Sequence, residues 1–164
     1  MNAAHIHLLL NHLPSLGALF GLLLLLTGLM TKSDDIKKAS LLLFVLAALV
    51  AVPTFFSGKS AEEVVEDLPG VTEEIIEEHE EAGIQSLIAI EILGLLSLVG
   101  LVMPRGAKPT PSWLVILVLL VSLVSSVLNY RTANLGGEIN HPEIRAEQNQ
   151  PTDYFWASIK LNSV

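Results

Sequence analysis

The 164-residue sequence contains no cysteine. This absence excludes disulfides, thiolate metal sites, iron–sulfur clusters and haem attached covalently through cysteine. The first apolar stretch has no Lys or Arg before it and no small-x-small pattern after it, so a cleaved signal peptide is not expected. The sequence also lacks a recognisable nucleophile–base pair or phosphate-binding loop, which argues against a hydrolase.

Long apolar blocks dominate the sequence, which is 51% hydrophobic and has a mean hydropathy of +0.58. Four blocks of 18 to 22 residues cover residues 13–30, 39–56, 82–103 and 113–130, and a bilayer core requires about 20 helical residues. Buried helices of a soluble bundle would need polar stripes, which residues 22–26 and 113–121 lack. We therefore predict an all-α, integral membrane four-helix bundle over residues 1–145, followed by a polar tail over residues 146–164.

The distribution of charge predicts the orientation of this bundle. The loops after the first and third blocks are basic, whereas the segment between the second and third blocks is strongly acidic. The basic residues of the two loops are Lys32, Lys37, Lys38, Arg105 and Lys108. The positive-inside rule then places both termini and the acidic segment outside, which in a bacterium is the periplasmic face of the inner membrane. We expect a multi-pass protein of that membrane.

Capping residues predict where several helices begin. Ser33 and Thr72 are suited to cap the second and third spans. Two alternatives remain for the first span: a start at Asn11, or one helix from about Ala3 that bends at Pro14.

A second pattern predicts a short amphipathic helix between spans two and three. Gly58 is expected to close span two, and Ser60 and Glu63 form a capping box. The apolar side of the helix would consist of Val64, Val65 and Leu68. We expect this helix to lie on the outer membrane surface.

The start of the third span carries an informative helical stripe. Six residues at helical spacing form one face: Ile75, Ile76, His79, Ala82, Gly83 and Ser86. Glutamates between Glu73 and Glu81 cover the rest of this segment. His79 is therefore predicted to face inward, and the glutamates form either a solvated face or a docking surface for a basic partner such as a soluble cytochrome c.

All five histidines fall at the predicted outer face: His5, His7, His12, His79 and His141. A neutral imidazole is a ligand for haem iron, copper or zinc. We expect His12 and His79 to face protein and to be the axial ligands of haem b, with His7 and His141 as a second pair or supporting shell. Gly136 and Gly137, with Gly83, would leave room for the macrocycle. The alternative is that these histidines are merely interfacial.

Two further polar residues lie within or near the spans. Glu91 is about two turns inside span three, where a carboxylate is costly, so it is a candidate proton or polar site. The alternative is a protonated Glu91 bonded to Ser125 or Ser122. Arg131 is expected to be structural, paired with an acidic residue or a lipid phosphate.

Together these motifs resemble a family of small, uncharacterised four-span bacterial membrane proteins. The family has an H-x4-H-x-P start to span one, a His at span three and a Gly-Gly-x-hydrophobic motif after span four. The matching residues are His7, His12 and Pro14, then His79 with Ala82, then Gly136-Gly137-Glu138-Ile139. The resemblance extends to about Arg145 but ends differently, because Asn140-His141-Pro142 stands where the family has a Val-Tyr pair. The family's histidines are suspected haem ligands, so the resemblance implies a b-type cytochrome.

Three functions follow as expectations. The first is a membrane-embedded b-type cytochrome that passes electrons between the quinone pool and a basic periplasmic cytochrome, within a larger membrane complex or a homo-oligomer. The second is a non-redox accessory subunit of such a complex. The third is a divalent-metal protein, structural or for transport, that binds zinc or copper through His7, His12, His79, His141 and nearby glutamates. The lipid bilayer is a partner in each case, and no nucleic-acid partner is expected.

Overall fold

The computed structural model describes residues 3–66, 71–103 and 109–141, and these ranges contain helices but no strand. The helices are α1 (Ala3–Leu10), α2 (His12–Met30), α3 (Asp34–Val65), α4 (Glu73–Val102) and α5 (Ser112–Asn140). Among the described residues, four helical stretches are long and apolar enough to cross a membrane: His5–Met30, Asp34–Glu62, Glu73–Val102 and Ser112–Ile139. The all-α, four-span prediction is confirmed at this level. The predicted tail over residues 146–164 lies outside the described residues.

The four long helices form a closed bundle in which α2 packs against α3, α3 against α4, α4 against α5, and α5 against α2. α1 packs mainly against α3. Small residues allow these helices to approach one another closely. A Cβ atom added to Gly17 would lie 2.8 Å from Ala47 Cβ, and one added to Gly21 would collide with the ring of Phe44.

The outer surface of the bundle is covered by large apolar side chains. Leu49 is 65% exposed, Leu95 is 63% exposed and Val127 is 68% exposed. A water-soluble monomer rarely presents contiguous apolar surface of this kind. The exposed residues therefore agree with a multi-pass protein whose helices contact lipid.

One half of the bundle has a conventional apolar core, which we call the packed half. It lies where the end of α2, the start of α3, the end of α4 and the start of α5 meet. Its buried side chains are Leu22, Leu25, Leu41, Phe44, Leu93, Leu114, Val115 and Val118. A smaller group, made of Ala18, Ala47, Ala51 and Ile90, follows towards the other end.

The first span is helical from α1 onward and is interrupted by a turn at Asn11. The N–H of Asn11 still donates to the carbonyl of His7 at 2.8 Å, and its side chain does not cap α2. Pro14 has no N–H to offer the carbonyl of Leu10, and the hydroxyl oxygen of Thr54 lies 3.5 Å from that carbonyl oxygen. Of the two alternatives, the structure favours the helix that begins near residue 3, with its interruption at Asn11 instead of Pro14.

The segment after Gly58 differs from the prediction of a separate amphipathic helix. α3 continues without interruption to Val65. The hydroxyl of Ser60 donates to the carbonyl of Phe56 at 3.2 Å, as a residue inside a helix does, and so does not open a new one. The prediction is therefore wrong for residues 60–65. Leu68 lies outside the described residues.

Candidate functional site

A cavity of about 520 Å³ occupies the end of the bundle opposite the packed half. We call it the histidine cavity, because four of the five histidines line it together with both glycines of the late Gly-Gly pair. These residues are His7, His12, His79, His141, Gly136 and Gly137. The volume lies within the range of roughly 300–1,000 Å³ that is typical of small-molecule and cofactor sites. All the predicted ligand residues are thus brought to one site.

His7 enters the cavity from α1 and is held by the backbone of α3. Its Nδ1 lies 3.1 Å from the carbonyl oxygen of Thr54 and 3.3 Å from the hydroxyl of Ser57. A carbonyl only accepts, so Nδ1 carries the hydrogen and Nε2 of the neutral ring carries the lone pair. The ring rests on Gly58, where an added Cβ would lie 2.9 Å from its Cε1 atom. The side chain is therefore fixed with one nitrogen available as a ligand.

His79 enters the cavity from α4 and packs on α5 in a similar way. A Cβ atom added to Gly136 would lie 2.9 Å from His79 Cε1. The ring also lies beside Thr132 of α5, whose hydroxyl donates to the carbonyl of Ala82 at 2.9 Å. Nδ1 of His79 is buried, and it has no hydrogen-bond partner among the described residues. Two imidazoles from different helices thus each rest on a glycine of a neighbouring helix.

The inward stripe predicted for the start of span three is confirmed. Ile76, Ala82 and Ser86 are buried, and His79 and Gly83 are half-buried beside them. Most of the glutamates predicted to cover the other faces are exposed. Helical periodicity alone therefore identified the orientation of His79.

His12 does not have the burial that was predicted for it. Its side chain is exposed, although it lines the cavity at the edge. His7 is the better-buried residue of the two, and the spacing of the buried residues that follow it agrees with this. Pro14, Ala18, Gly21 and Leu25 follow His7 at intervals of 7, 4, 3 and 4 residues and are all buried, which is the spacing of one helical face. His12 is out of phase with them.

His141 is the last described residue and is also exposed at the cavity. Its backbone N–H donates to the carbonyl of Gly137 at 2.9 Å and so ends α5. Gly137 itself has no atom within 4 Å of an added Cβ, unlike Gly136. Of the two glycines, only Gly136 is in a close contact with a histidine in the described part of the chain.

The inner end of the cavity is polar. Ser15 Oγ donates to Asn129 Oδ1 at 3.2 Å, and Asn129 Nδ2 donates to the carbonyl of Ser125 at 2.8 Å. Asn129 is only 6% exposed. Oδ1 of Asn11, four residues before Ser15, is buried without a hydrogen-bond partner in residues 3–66, 71–103 or 109–141. Buried polar groups are normally paired, so Oδ1 of Asn11 is available to hydrogen bond to a ligand.

The outer end of the cavity is charged. Lys59 Nζ lies 3.2 Å from Glu80 Oε1, and this ion pair joins α3 to α4 beside His79. Glu62 also lines the cavity there. An exposed ion pair contributes little to stability. The main effect of these residues is on charge, since two carboxylates and one ammonium group make the entrance acidic.

A zinc or copper site would need several ligands that converge on one point. Within the described ranges, no group of three or more His, Cys, Asp or Glu side chains is arranged to hold a metal ion. A structural zinc site usually has four protein ligands, and a catalytic one has three. The histidine cavity thus offers two fixed imidazoles, His7 and His79, and not a four-ligand cluster.

Glu91 and Arg131 were singled out by sequence as well. Oε1 of Glu91 is buried and lacks a partner among residues that the structure describes. The suggested bond from Ser122 or Ser125 to this oxygen is therefore not formed, and the hydroxyl of Ser122 donates instead to the carbonyl of Leu119. The role of Glu91 as a proton or polar site stays a prediction. Arg131 donates to Gln85 at 3.3 Å, which links α5 to α4.

Comparison with known proteins adds no relative. No protein-family model matches the sequence, and no match is found among curated proteins or solved structures. The resemblance to four-span bacterial membrane proteins therefore stays a prediction, and the site has to be interpreted from its own geometry.

Proposed function

We propose that the protein is a membrane-embedded, b-type cytochrome-like electron-transfer protein that binds haem b in the histidine cavity. One observation carries this proposal: His7 and His79 project from different helices into one cavity, and each rests on a glycine of a neighbouring helix. Imidazoles on facing helices are a usual way for a bundle to hold a cofactor in its core. When bound, haem b supplies one-electron redox chemistry.

The residues present fit this group in three respects. His7 has its Nδ1 engaged by a backbone oxygen, which leaves Nε2 as a donor to iron. His79 has a buried Nδ1 that the described residues leave unpaired. The cavity between them is largely apolar, with Ala51, Ile76 and Ile90 among its walls. His7 replaces His12 as the preferred partner of His79.

The cellular setting is part of the proposal. The basic loops favour an orientation in which the histidine cavity faces the periplasm of a bacterial inner membrane. Electrons would then pass between membrane quinone and a basic soluble carrier, attracted by the exposed glutamates of α4. Assembly into a larger complex or a homo-oligomer agrees with the exposed apolar surface.

An absorption spectrum of the purified protein, with and without dithionite, tests the proposal. We expect a six-coordinate b-type spectrum that is lost in His7→Ala and in His79→Ala. His12→Ala is the matched control and should keep the spectrum, because this side chain is exposed. A protein that stays colourless after reconstitution with haemin would refute haem binding. If such a colourless protein contains stoichiometric zinc or copper, the metal alternative is favoured. If it contains neither metal, the accessory-subunit alternative is favoured.

Orientation is tested separately with single cysteines, since the chain has none of its own. Ser60 and Ser112 are both exposed and lie at opposite ends of the bundle. A membrane-impermeant maleimide should label Ser60→Cys in intact cells but Ser112→Cys only after lysis. The reverse pattern would overturn the proposed orientation.

A further inference from the structure

We propose that the edge of the histidine cavity at His12 is a binding site for the ring of a membrane quinone. This inference rests on the proposed function, which requires an electron carrier in the membrane, and it concerns binding alone. It starts from His12, a cavity-lining residue to which the haem proposal gives no role.

His12 is a polar residue on an otherwise apolar outer surface. The exposed side chains between residues 8 and 16 are four leucines and this histidine. The leucines are Leu8, Leu9, Leu13 and Leu16, which are 53%, 59%, 48% and 45% exposed. His12 lies within the candidate span His5–Met30, and an ionisable side chain within a membrane-spanning helix is a candidate functional site.

The same histidine borders an opening into the cavity. Ser15 of α2 bonds to Asn129 of α5. His12 lies three residues before Ser15, and Ala133 lies four residues after Asn129. Both are therefore about one helical turn closer to the outer end of the cavity. Leu8, His12 and Ala133 are exposed and also line the cavity. Their exposure on one side and their contact with the cavity on the other indicate a side opening between the first span and α5, within candidate membrane-spanning helices.

The chemistry of this opening matches a quinone more closely than an ionic ligand. An apolar surround with one imidazole suits a flat, neutral ring that carries oxygen atoms, because the ring replaces lipid and one oxygen pairs with His12. The ring nitrogen that faces the ligand accepts from a quinol hydroxyl in one tautomer of His12 and donates to a quinone carbonyl in the other. An opening towards lipid also admits a molecule that is dissolved in the bilayer.

Binding of decylubiquinone to the full-length protein in lipid nanodiscs tests the site, with empty nanodiscs as the blank. We expect one molecule to bind per protein and His12→Ala to raise Kd about tenfold, the effect of one lost hydrogen bond in an apolar setting. His12→Gln keeps a hydrogen-bonding group and should stay within about threefold of the wild type. Ala133→Trp should block the opening, whereas Val127→Trp, on the lipid-facing side of the same helix, should bind normally.

The spectrum of bound haem, recorded for each variant, separates this inference from the proposed function. A wild-type spectrum in His12→Ala together with weakened quinone binding in that variant supports both. An unchanged Kd in both variants, or no quinone bound by the wild type, overturns the quinone site while the haem spectrum stands. No haem spectrum in any variant overturns the proposed function, and weaker quinone binding in His12→Ala would then still support the site itself.

Discussion

The packed half and the cavity half of the bundle are built from the same helices but are filled differently. In the packed half, Leu25, Phe44 and Leu93 are completely buried, and α4 approaches α3 so closely that a Cβ on Gly94 would collide with Ala48. The other half contains the histidine cavity, and we call it the cavity half. There the bundle leaves a space of about 520 Å³ between its helices. α3 and α4 can therefore pack tightly against each other. We attribute the open volume of the cavity half to the polar and small residues at that end of the bundle.

The sharpest test of this contrast compares two glycines of α4 that both face α3. Gly94→Ala should lower the free energy of unfolding by about 1–3 kcal/mol, because the helices have to separate to accommodate the methyl group. Gly83→Ala is the control in the cavity half, where the added Cβ would lie 3.8 Å from the Phe55 ring. This variant should be neutral or gain up to roughly 1 kcal/mol of helix propensity. Equal losses, measured by denaturant titration in detergent, would show that the two halves are packed alike.

A second test asks whether polar contacts hold the cavity half together. Asn129→Ala removes the bond from Ser15 that joins α2 to α5, together with the bonds to Ser125 within α5, and should cost about 1–2 kcal/mol of unfolding free energy. Ser126→Ala is the matched control on the same helix, since Ser126 Oγ is buried and unpaired as far as the described residues extend. If both variants unfold at the same denaturant concentration, the polar contacts do not support the cavity.

The smallest expected effect concerns the adjacent glycines of α5. Gly136→Ala should displace the His79 ring, which lies 2.9 Å from the added Cβ, and should weaken haem binding about fivefold, or about 1 kcal/mol. The ring can swing into the cavity, so stability should change by less than about 0.5 kcal/mol. Gly137→Ala meets no atom within 4 Å and should bind haem like the wild type. Haemin titration checks both variants, and equal affinities would contradict a supporting role for Gly136.

Much of the fold and part of the site could be predicted from the sequence. The inward stripe of His79 follows from helical spacing, and the caps at Ser33 and Thr72 each accept a backbone N–H at 3.4 Å as expected. These features depend on local geometry, which is determined by residues close in sequence. A short window of sequence is therefore enough to predict them.

The features that were not predicted depend on contacts between distant segments. Gly58 was expected to close span two, but it lies inside α3 against the ring of His7. The choice between His7 and His12 depends on how the first span is rotated about its axis. The sequence-based prediction favoured His12, the histidine nearer to Pro14. The spacing of buried residues from His7 onward favours His7, but only because the turn at Asn11 preserves the helical phase, which the sequence does not reveal.

The contact between His7 and Thr54 has a consequence for how this site tolerates mutation over time. The group that fixes the tautomer of His7 is the main-chain oxygen of residue 54, and every amino acid supplies such an oxygen. Neutral substitutions at position 54 can therefore accumulate without altering which nitrogen of His7 faces the cavity. The proposed ligand site, supported in this way, can persist while the neighbouring side chains diverge, so the sequence around it need not show a recognisable motif.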